Sequence, residues 1–178
     1  MSRKVKWGIL ATGAIAHAFA RGLAVSQTGT LVAVGSRSKE KADEFGREFK
    51  VPNCHATYAG LLNDKDVEAV YIATPHVQHA EWAIKAMNSG KHVLVEKPIG
   101  LNQYEAQAII EAAVANKVFL MEAYMYRCHP QTLRLVELIR AKAIGEVRVI
   151  QATFSFRRGR GKNICRSGGG DGYRRASS

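Results

Sequence analysis

The first residues whose types and spacing could do chemistry form a small-residue turn directly after the apolar run 5–10. Their pattern, Ala11-x-Gly13-x-x-Ala16, is close to G-x-G-x-x-G/A, in which a tight turn brings a pyrophosphate to the N-terminus of a helix. Gly13 would let the backbone approach phosphates, and Ala16 would let the helix pack on the strand. The alternative is a turn that binds no ligand. The spacing predicts a dinucleotide-binding turn made of Ala11, Thr12, Gly13, Ala14 and Ile15.

A second candidate site follows the predicted strand 31–35, which leads into Ser36 and Arg37. A fold selective for NAD usually places an acid at this point to bind the ribose 2′-hydroxyl, and no acid stands there. A hydroxyl and a guanidinium are instead suited to a 2′-phosphate, through charge-assisted hydrogen bonds. The pair favours NADP as the cofactor, with NAD also possible. The alternative is a helix cap beside an exposed arginine.

Polar residues also follow two later strands. Thr74 and Pro75 end an apolar run and are followed by His76 and His79 at helical spacing. Because no third ligand stands nearby, the histidines favour a contact at the helix start or with a cofactor over a metal site. Arg127 lies in a polar and aromatic segment that could face the same cleft. We predict cofactor contacts from these five residues and no metal.

A charged pair and a proline end another run that looks buried. Residues 92–95 are short, largely apolar and β-branched, which is typical of a core strand in a parallel sheet. Glu96, Lys97 and Pro98 follow at once. Proline and charged residues can simply mark the return of a strand to solvent. The alternative is that this strand ends in a cleft, where Lys97 could meet a ligand.

Strand-like and helix-like segments position these residues, and their alternation at intervals of roughly 10–20 residues predicts a doubly wound parallel sheet of the Rossmann type, an α/β fold. Ser38 and Asn102 are predicted N-caps and Gly90 a helix end. The predicted strands are 5–10, 31–35, 67–73, 92–95 and 118–121, and the predicted helices are 14–24, 39–49, 79–87, 103–115 and 131–141. The carboxyl ends of parallel strands share one edge, where such sheets bind ligands. We therefore predict one crevice lined by residues 11–14, 36–41, 74–79 and 96–98.

The segment 148–156 has a different pattern from the rest of the chain. More polar and more apolar residues alternate along it with a period of two, so that one face would be more polar than the other. This pattern predicts an antiparallel strand. We interpret it as the first strand of a second α/β domain. The predicted organisation is a Rossmann domain over 1–125, a linking helix and the start of the second domain over 126–156, and an Arg/Gly-rich, disordered tail over 157–178.

Composition excludes several classes of protein. The chain has 178 residues, of which 47% are apolar and 8% aromatic, so it can bury a real core. We find no apolar stretch near the roughly 18–20 residues of a membrane helix, and no secretion signal. The three cysteines lack C-x-x-C spacing and fit reduced thiols in the cytoplasm. The net charge of +11 is concentrated in 157–178, where six Arg and one Lys accompany one acid.

Four segments together resemble the Gfo/Idh/MocA family, which includes glucose-fructose oxidoreductase, inositol dehydrogenase and a rhizopine catabolism protein. The segments are WGILATGAIA (7–16), VGSRSKEKA (34–42), YIATPHVQHAEWAIKAMNSGKHVLVEKP (71–98) and FLMEAYMYRCHPQ (119–131). The resemblance implies a Rossmann domain for NAD(P) and a second α/β domain for substrate. It also implies hydride transfer between the nicotinamide and a sugar, cyclitol or related hydroxy or carbonyl compound, and homo-oligomers formed through the second domain.

The resemblance assigns roles to the residues that end the strand 92–95. Lys97 would be catalytic and would reach the nicotinamide ribose and the reacting oxygen of the substrate. A lysine whose pKa falls toward neutrality in a cleft can orient a substrate and pass a proton. Glu96 would help to hold the cofactor or Lys97, and Pro98 would fix the turn.

The chain departs from the family pattern at two points. Ala11 replaces a glycine, which we expect to be a mild change. The family's further acid or base residue lies in the second domain, which this chain barely begins, so we expect an incomplete copy that binds cofactor without appreciable turnover by itself. The alternative function is a non-catalytic cofactor-binding protein whose basic tail binds nucleic acid. We expect nucleic acid not to be a partner.

Overall fold

The computed structural model describes residues 3–153 and Ser155. Its strands are β1 Val5–Leu10, β2 Gly29–Gly35, β3 Asn53–His55, β4 Ala69–Ile72, β5 His92–Val95 and β6 Leu120–Glu122. Its α-helices are α1 Ala14–Ala24, α2 Lys39–Phe49, α3 Tyr58–Leu62, α4 His79–Asn88, α5 Gln103–Asn116 and α6 Pro130–Arg140, and short 3₁₀ helices span His76–Gln78 and Met125–Cys128. The chain divides into two compact units between Arg134 and Leu135, and the first contains the sheet. None of the described helices is long and apolar enough to cross a lipid bilayer.

The strands form one parallel sheet in the order β3-β2-β1-β4-β5-β6. Strands β2 and β3 extend the sheet on one side of β1, and β4, β5 and β6 extend it on the other side. This is the strand order of a Rossmann fold, whose ligand crevice lies outside the carboxyl ends of the strands at the point of reversal. The doubly wound parallel sheet predicted from the sequence is therefore confirmed, and the crevice lies beside β1 and β4.

The central strands are buried on both faces of the sheet. In β4, Val70 and Ile72 pack with Leu10 into the core on one face, whereas Tyr71 packs with Ile9 into the core on the other. All four residues of β4 are buried. A strand covered on both faces cannot alternate apolar with polar residues, which explains its continuous apolar run. Because β4 packs with residues of β1 on both faces, the carboxyl ends of the two strands are held side by side.

The predicted helix caps are present. The Ser38 hydroxyl oxygen accepts a hydrogen bond from the Lys41 N–H at 3.3 Å and begins α2. Asn102 Oδ1 accepts from the Glu105 N–H at 3.0 Å and begins α5. Gly90 follows the last residues of α4 with a φ of +73°, a left-handed conformation that glycine adopts without strain. These local signals explain why the long helices were predictable within a residue or two.

The sequence patterns missed two short elements, β3 and α3. β3 spans only Asn53–His55 and pairs with β2 at one side of the sheet. α3 spans Tyr58–Leu62 and begins at Thr57, whose hydroxyl oxygen accepts from the Gly60 N–H at 3.0 Å. Neither element is long enough to show a period of two or of 3.6 residues, so hydrophobic periodicity carries no signal for them.

The antiparallel strand predicted over 148–156 is not formed in the part of the chain that the structure describes. Residues 147–153 and Ser155 belong to no helix or strand, and Val149 and Ile150 are exposed. A period of two identifies a face but supplies no partner, and a strand is stable only when it hydrogen-bonds to a neighbour. Phe154 and residues 156–178 lie outside the described residues, so the predicted tail stays a prediction.

Candidate functional site

The structure brings the turns after β1, β2, β4 and β5 to one edge of the sheet. Backbone hydrogen bonds continue past the strand ends and hold each turn beside its neighbour. These bonds run from Ala11 N to Gly35 O at 2.9 Å, from Ala73 N to Leu10 O at 3.1 Å, and from Glu96 N to Ile72 O at 3.0 Å. The predicted candidate segments are therefore neighbours in space, although up to about 85 residues separate them along the chain.

The turn after β1 is strained at Ala11. Its φ is +82°, in the left-handed region that glycine adopts freely and that costs other residues roughly 1–2 kcal/mol. The replacement of glycine by alanine therefore places a non-glycine residue in a strained backbone conformation, which the sequence alone does not show. The fold keeps Ala11 in this conformation because its N–H is bonded to β2 while the chain turns toward α1.

Gly13 leaves the N-terminus of α1 open. It is the N-cap of α1 with an ordinary extended backbone, φ −79° and ψ 178°, and no side chain of residues 3–153 or Ser155 caps the helix. A Cβ at this position would meet no heavy atom within 4 Å from the described part of the chain, apart from the two neighbouring residues, and no acidic residue lies in the first turn of this helix. Neither backbone conformation nor packing among the described residues explains a glycine here. Free N–H groups at the positive end of a helix dipole are what a phosphate binds.

The turn after β2 presents one buried and one exposed side chain. Ser36 is buried, and its hydroxyl oxygen accepts a hydrogen bond from the Ser38 N–H at 3.3 Å. Arg37 is exposed, with its guanidinium beside the Tyr58 hydroxyl. Burial raises the pKa of Tyr58, and the nearby Arg37 charge partly opposes that increase. The missed helix α3 thus supplies a neighbour that helps to orient Arg37.

The turn after β4 contains a buried hydroxyl without a partner. Thr74 is 5% exposed, and its Oγ1 has no hydrogen-bond partner among the described residues. An unsatisfied buried polar group costs about 1–3 kcal/mol, so such a group at a ligand-binding edge is informative. Pro75 and His76 are exposed beside it. Three of the predicted cofactor contacts therefore lie together next to the reversal of strand order.

His79 has a different environment from the one that its predicted role as a cofactor contact requires. It is completely buried, at 0% exposure. Its Nδ1 lies 2.7 Å from Pro98 O and its Nε2 lies 3.0 Å from Thr74 O. Both ring nitrogens thus face backbone carbonyl oxygens in the protein interior, which leaves neither for a cofactor or for a metal shared with His76. The helical spacing of the two histidines carried no information about these partners.

Glu96, at the end of β5, is held by a residue that sequence reasoning missed. The Tyr71 hydroxyl donates to Glu96 Oε1 at 2.5 Å, and the Lys97 N–H donates to Glu96 Oε2 at 3.2 Å. Tyr71 is buried and its ring stacks on Phe19, with the ring centroids 4.0 Å apart. Burial and, secondarily, the Glu96 carboxylate raise the pKa of Tyr71, so its hydroxyl stays a donor. A tyrosine within an otherwise aliphatic strand was the available signal.

Lys97 projects from a turn whose other residues are anchored. The Lys97–Pro98 peptide bond is cis, and the Ile99 N–H donates to Glu122 Oε1 at 2.8 Å. The Lys97 side chain is exposed, and its ammonium group makes no hydrogen bond or ion pair with the described residues. The arrangement can present one amine at a fixed place on the edge.

Arg127, the last predicted cofactor contact, lies farther along the same edge. It belongs to the 3₁₀ helix Met125–Cys128, which follows β6, and β6 is separated from β4 by β5. Its side chain is exposed, and its N–H donates to Tyr124 O at 3.0 Å. Arg127 is therefore two strands away from the β1–β4 crevice, on the side of the Lys97 turn.

Proteins of known sequence are similar to this chain over the residues that form the sheet and its turns. A family model described as an oxidoreductase family with an NAD-binding Rossmann fold, GFO_IDH_MocA, matches residues 5–124. The chain is 38% identical over 154 residues to trans-1,2-dihydrobenzene-1,2-diol dehydrogenase of Mus musculus, a match that covers 85% of this chain and 46% of the relative. It is 36% identical over 152 residues to an uncharacterized oxidoreductase of Rhizobium meliloti, covering 85% and 46%. The chain spans about half the length of these curated relatives.

Solved structures agree with the sequence matches. KijD10, a 3-ketoreductase from Actinomadura kijaniata in complex with TDP-benzene and NADP, aligns with a TM-score of 0.75 at 31% identity, over 82% of this chain and 46% of that one. The scyllo-inositol dehydrogenase of Lactobacillus casei, with bound NAD(H) and scyllo-inositol, aligns with a TM-score of 0.74 at 25% identity, over 81% and 43%. The matched residues include all six strands and the turns after β1, β2, β4 and β5. The resemblance noted in the sequence is thereby confirmed, and this chain belongs to the Gfo/Idh/MocA family of oxidoreductases with an NAD-binding Rossmann fold.

Proposed function

We propose that this chain provides the NADP(H)-binding edge and the catalytic lysine of an oxidoreductase that interconverts a hydroxyl and a carbonyl group on a sugar, cyclitol or related diol. The proposal rests on the placement of Lys97. Its amine makes no hydrogen bond or ion pair with the described residues, and it projects from an anchored turn beside the crevice at β1 and β4. The names of the relatives, a dihydrodiol dehydrogenase, a 3-ketoreductase and an inositol dehydrogenase, support this substrate class.

The residues at the edge fit a dinucleotide. The open N-terminus of α1 at Gly13 would hold the pyrophosphate through backbone N–H groups. The buried Thr74 hydroxyl would gain the hydrogen-bond partner that the described residues do not give it. When bound, a nicotinamide accepts or supplies the hydride. The chain's own contribution is to orient the cofactor and the reacting oxygen.

Ser36 and Arg37 would select the phosphorylated cofactor. The guanidinium is exposed at the end of β2, where the adenosine ribose of a dinucleotide lies in this fold. A 2′-phosphate there can accept hydrogen bonds from both side chains, whereas a 2′-hydroxyl offers the guanidinium little. We accordingly infer a preference for NADP(H) over NAD(H).

Lys97 would handle the proton of the reaction. In the oxidative direction, the Lys97 amine would take the proton of the substrate hydroxyl, and the bound nicotinamide would be the hydride acceptor. In the reductive direction, Lys97 would give a proton to the carbonyl oxygen, and the bound reduced nicotinamide would be the hydride donor. A positioned acid or base of this kind contributes about 10²–10⁴ in rate.

Cofactor titration tests the proposal. Calorimetry with NADPH and NADH should give tighter binding of NADPH, and Arg37→Ala should lose roughly 1.5–3 kcal/mol of NADPH binding without changing NADH binding. Arg47→Ala, an exposed arginine in the last turn of α2, is the matched control and should change neither. An unchanged NADPH/NADH ratio in Arg37→Ala would show that Arg37 does not read the 2′-phosphate. Tighter binding of NADH by the wild type would overturn the NADP assignment.

Two expectations from the sequence remain proposals about the protein in its cell. Cys54 and Cys128 are free thiols, which supports a reducing compartment such as the cytoplasm. Homo-oligomerisation is supported by the family resemblance alone. Size-exclusion chromatography with light scattering measures the oligomeric state directly.

A further inference from the structure

One completely buried imidazole connects two turns of the candidate site. His79 is the first residue of α4 and is 0% exposed. Its two ring nitrogens lie 2.7 Å from Pro98 O and 3.0 Å from Thr74 O. These carbonyls belong to the turn after β5 and the turn after β4, which carry Lys97 and the buried hydroxyl. A single side chain thus contacts the main chain of both turns that carry the groups used by the proposed function at this part of the edge.

We propose that His79 is a positioning residue that fixes the Lys97 turn to the end of β4; this inference rests on the proposed function, because Lys97 is the group that it positions. The Pro98 carbonyl follows Lys97 directly in the chain. Holding that carbonyl fixes the main chain on the carboxyl side of Lys97. The exposed lysine side chain then starts from a defined place, which proton transfer to a bound substrate requires.

The opposite side of the Lys97 turn is anchored independently. Tyr71 donates to the Glu96 carboxylate at 2.5 Å, and Tyr71 and His79 lie on opposite faces of the sheet, since Tyr71 packs in the core that includes Ile9 and His79 begins the helix that packs on the other face. The main chain at Lys97 is therefore held on both flanks and from both faces. Loss of His79 would release only the Pro98 flank.

The two contacts of His79 with carbonyl oxygens, which can only accept, have separable consequences. A ring with two protons donates both bonds, and a ring with one proton donates only one. The bond to Pro98 O, which is the shorter, aligns Lys97. The bond to Thr74 O aligns the segment whose hydroxyl would meet the cofactor. Removing one bond at a time should therefore affect turnover and cofactor affinity differently.

Two amide variants separate these bonds. In His79→Asn the side-chain amide can occupy the place of Nδ1 and keep the bond to Pro98 O, whereas in His79→Gln it can reach the place of Nε2 and keep the bond to Thr74 O. In a preparation that turns over, we expect His79→Gln to lower kcat about tenfold with NADPH affinity near that of the wild type, as expected for one lost positioning hydrogen bond. We expect His79→Asn to weaken NADPH binding about threefold to tenfold with kcat largely retained.

Amide hydrogen exchange gives a readout that needs neither turnover nor cofactor. The amides of residues 96, 97 and 99–101 should exchange about tenfold faster in His79→Gln than in the wild type and should be nearly unchanged in His79→Asn. His92→Asn, which keeps an acceptor for the Phe119 N–H at the opposite edge of the sheet, is the matched control and should leave this exchange unchanged.

The outcomes separate this inference from the proposed function. If the wild type binds neither NADPH nor NADH but exchange follows the pattern above, the proposed function fails and the anchoring by His79 stands. If both amide variants change exchange and kcat equally, or if neither changes exchange at 96–101, His79 is not the anchor of the Lys97 turn. Thermal unfolding of each variant shows whether lower global stability alone explains its changes in kcat, NADPH affinity and amide exchange. If it does so for both amide variants, the inference is also overturned.

Discussion

The turns after β1 and β5 lie at the same edge of one sheet and are built in opposite ways. At the β1 turn, no described side chain caps α1, and among the described residues other than its chain neighbours none has a heavy atom within 4 Å of the place of a Cβ on Gly13. At the β5 turn, three side chains hold the backbone or its flanking carboxylate. These contacts are Tyr71 to Glu96 Oε1, His79 to Pro98 O and Glu122 Oε1 to Ile99 N.

The difference corresponds to two kinds of chemistry. A pyrophosphate is bound by several backbone N–H groups and a helix dipole, so its turn needs open space more than side chains. A proton-transferring amine acts at one point, and its turn therefore needs a fixed backbone. The open turn suits binding and the anchored turn suits catalysis, and each of the following changes tests one half of this contrast.

The largest effect is expected at the anchored turn, from Lys97→Met. In a preparation that turns over, kcat should fall by about 10²–10⁴, because the change removes the proposed proton-transfer group. NADPH affinity should change little, because that lysine acts on the reacting oxygen in the transition state. Steady-state kinetics and a cofactor titration measure the two quantities. Lys65→Met, an exposed lysine before β4 at the other end of the sheet, is the control, and equal kcat values for Lys97→Met and this control would remove Lys97 from the mechanism.

The next largest effect is expected at the open turn, from Gly13→Asp. An aspartate is a good N-cap and should stabilise α1 by roughly 0.5–1 kcal/mol. The same carboxylate would repel a pyrophosphate, and at about 4 Å in a partly shielded site the repulsion should weaken NADPH binding at least about 100-fold. The Tm from thermal unfolding should therefore rise, while the NADPH affinity from calorimetry should fall. Gly22→Asp adds the same charge on α1 away from the edge, where there is also open space, and similar binding losses in both variants would contradict a phosphate site at Gly13.

A smaller effect is expected from Tyr71→Phe, which removes one anchor of the Lys97 turn. Glu96 loses the donor to its Oε1, which should cost about 1–3 kcal/mol of the free energy of unfolding. Chemical denaturation measures the loss. Tyr104→Phe, an exposed tyrosine, is the control and should be neutral. Equal stabilities of Tyr71→Phe and the wild type would show that the Tyr71–Glu96 bond does not hold the turn.

The pH dependence of stability gives the Tyr71 prediction a second readout. Burial, and then the Glu96 carboxylate, raise the folded-state pKa of Tyr71 above its unfolded value of about 10. The unfolded chain therefore releases this proton first as pH rises. Its contribution to stability is complete below about pH 10 and is lost above it. Tyr71→Phe should lack this part of the alkaline loss.

The smallest effect is expected from Ala11→Gly, and it has the opposite sign. Glycine removes a left-handed strain of roughly 1–2 kcal/mol from the folded state. Its greater conformational freedom also stabilises the unfolded chain by about 0.4–1 kcal/mol, which offsets part of the gain. The net result should be a stabilisation below about 1 kcal/mol, visible as a higher Tm. Ala18→Gly, inside α1, should instead destabilise by about 0.5–1 kcal/mol. A lower Tm for Ala11→Gly would mean that the conformation of Ala11 is not strained.

The predictable part of the fold was the part with local signals. The apolar run of β4 and the caps at Ser38 and Asn102 each depend on residues close in sequence. The shared position of four turns at one edge of the sheet could then be predicted from the geometry of parallel sheets. The segment 148–156 shows the limit of the same reasoning, because its pattern specified a face while a strand also needs a partner.

The unpredictable part of the site depends on contacts between distant residues. Tyr71 lies 25 residues from Glu96, and His79 lies 19 residues from Pro98. No spacing rule links these pairs, because their contacts arise only once β4 and β5 are paired and α4 is packed on the sheet. Helical spacing placed His79 correctly at the start of α4 but gave no indication that both ring nitrogens face backbone carbonyls.

The measurement that tests the central claim most directly is a titration of the isotope-labelled chain with NADPH, followed through its backbone amide NMR signals. The claim is that the open turn at the carboxyl edge binds the dinucleotide. The account predicts the largest shifts at residues 13–15, with further shifts at Thr74 and Arg37 and little change at Lys91 and His92, at the opposite edge. Saturable shifts centred on Lys91 and His92, or no shifts at residues 13–15 at millimolar NADPH, would contradict it.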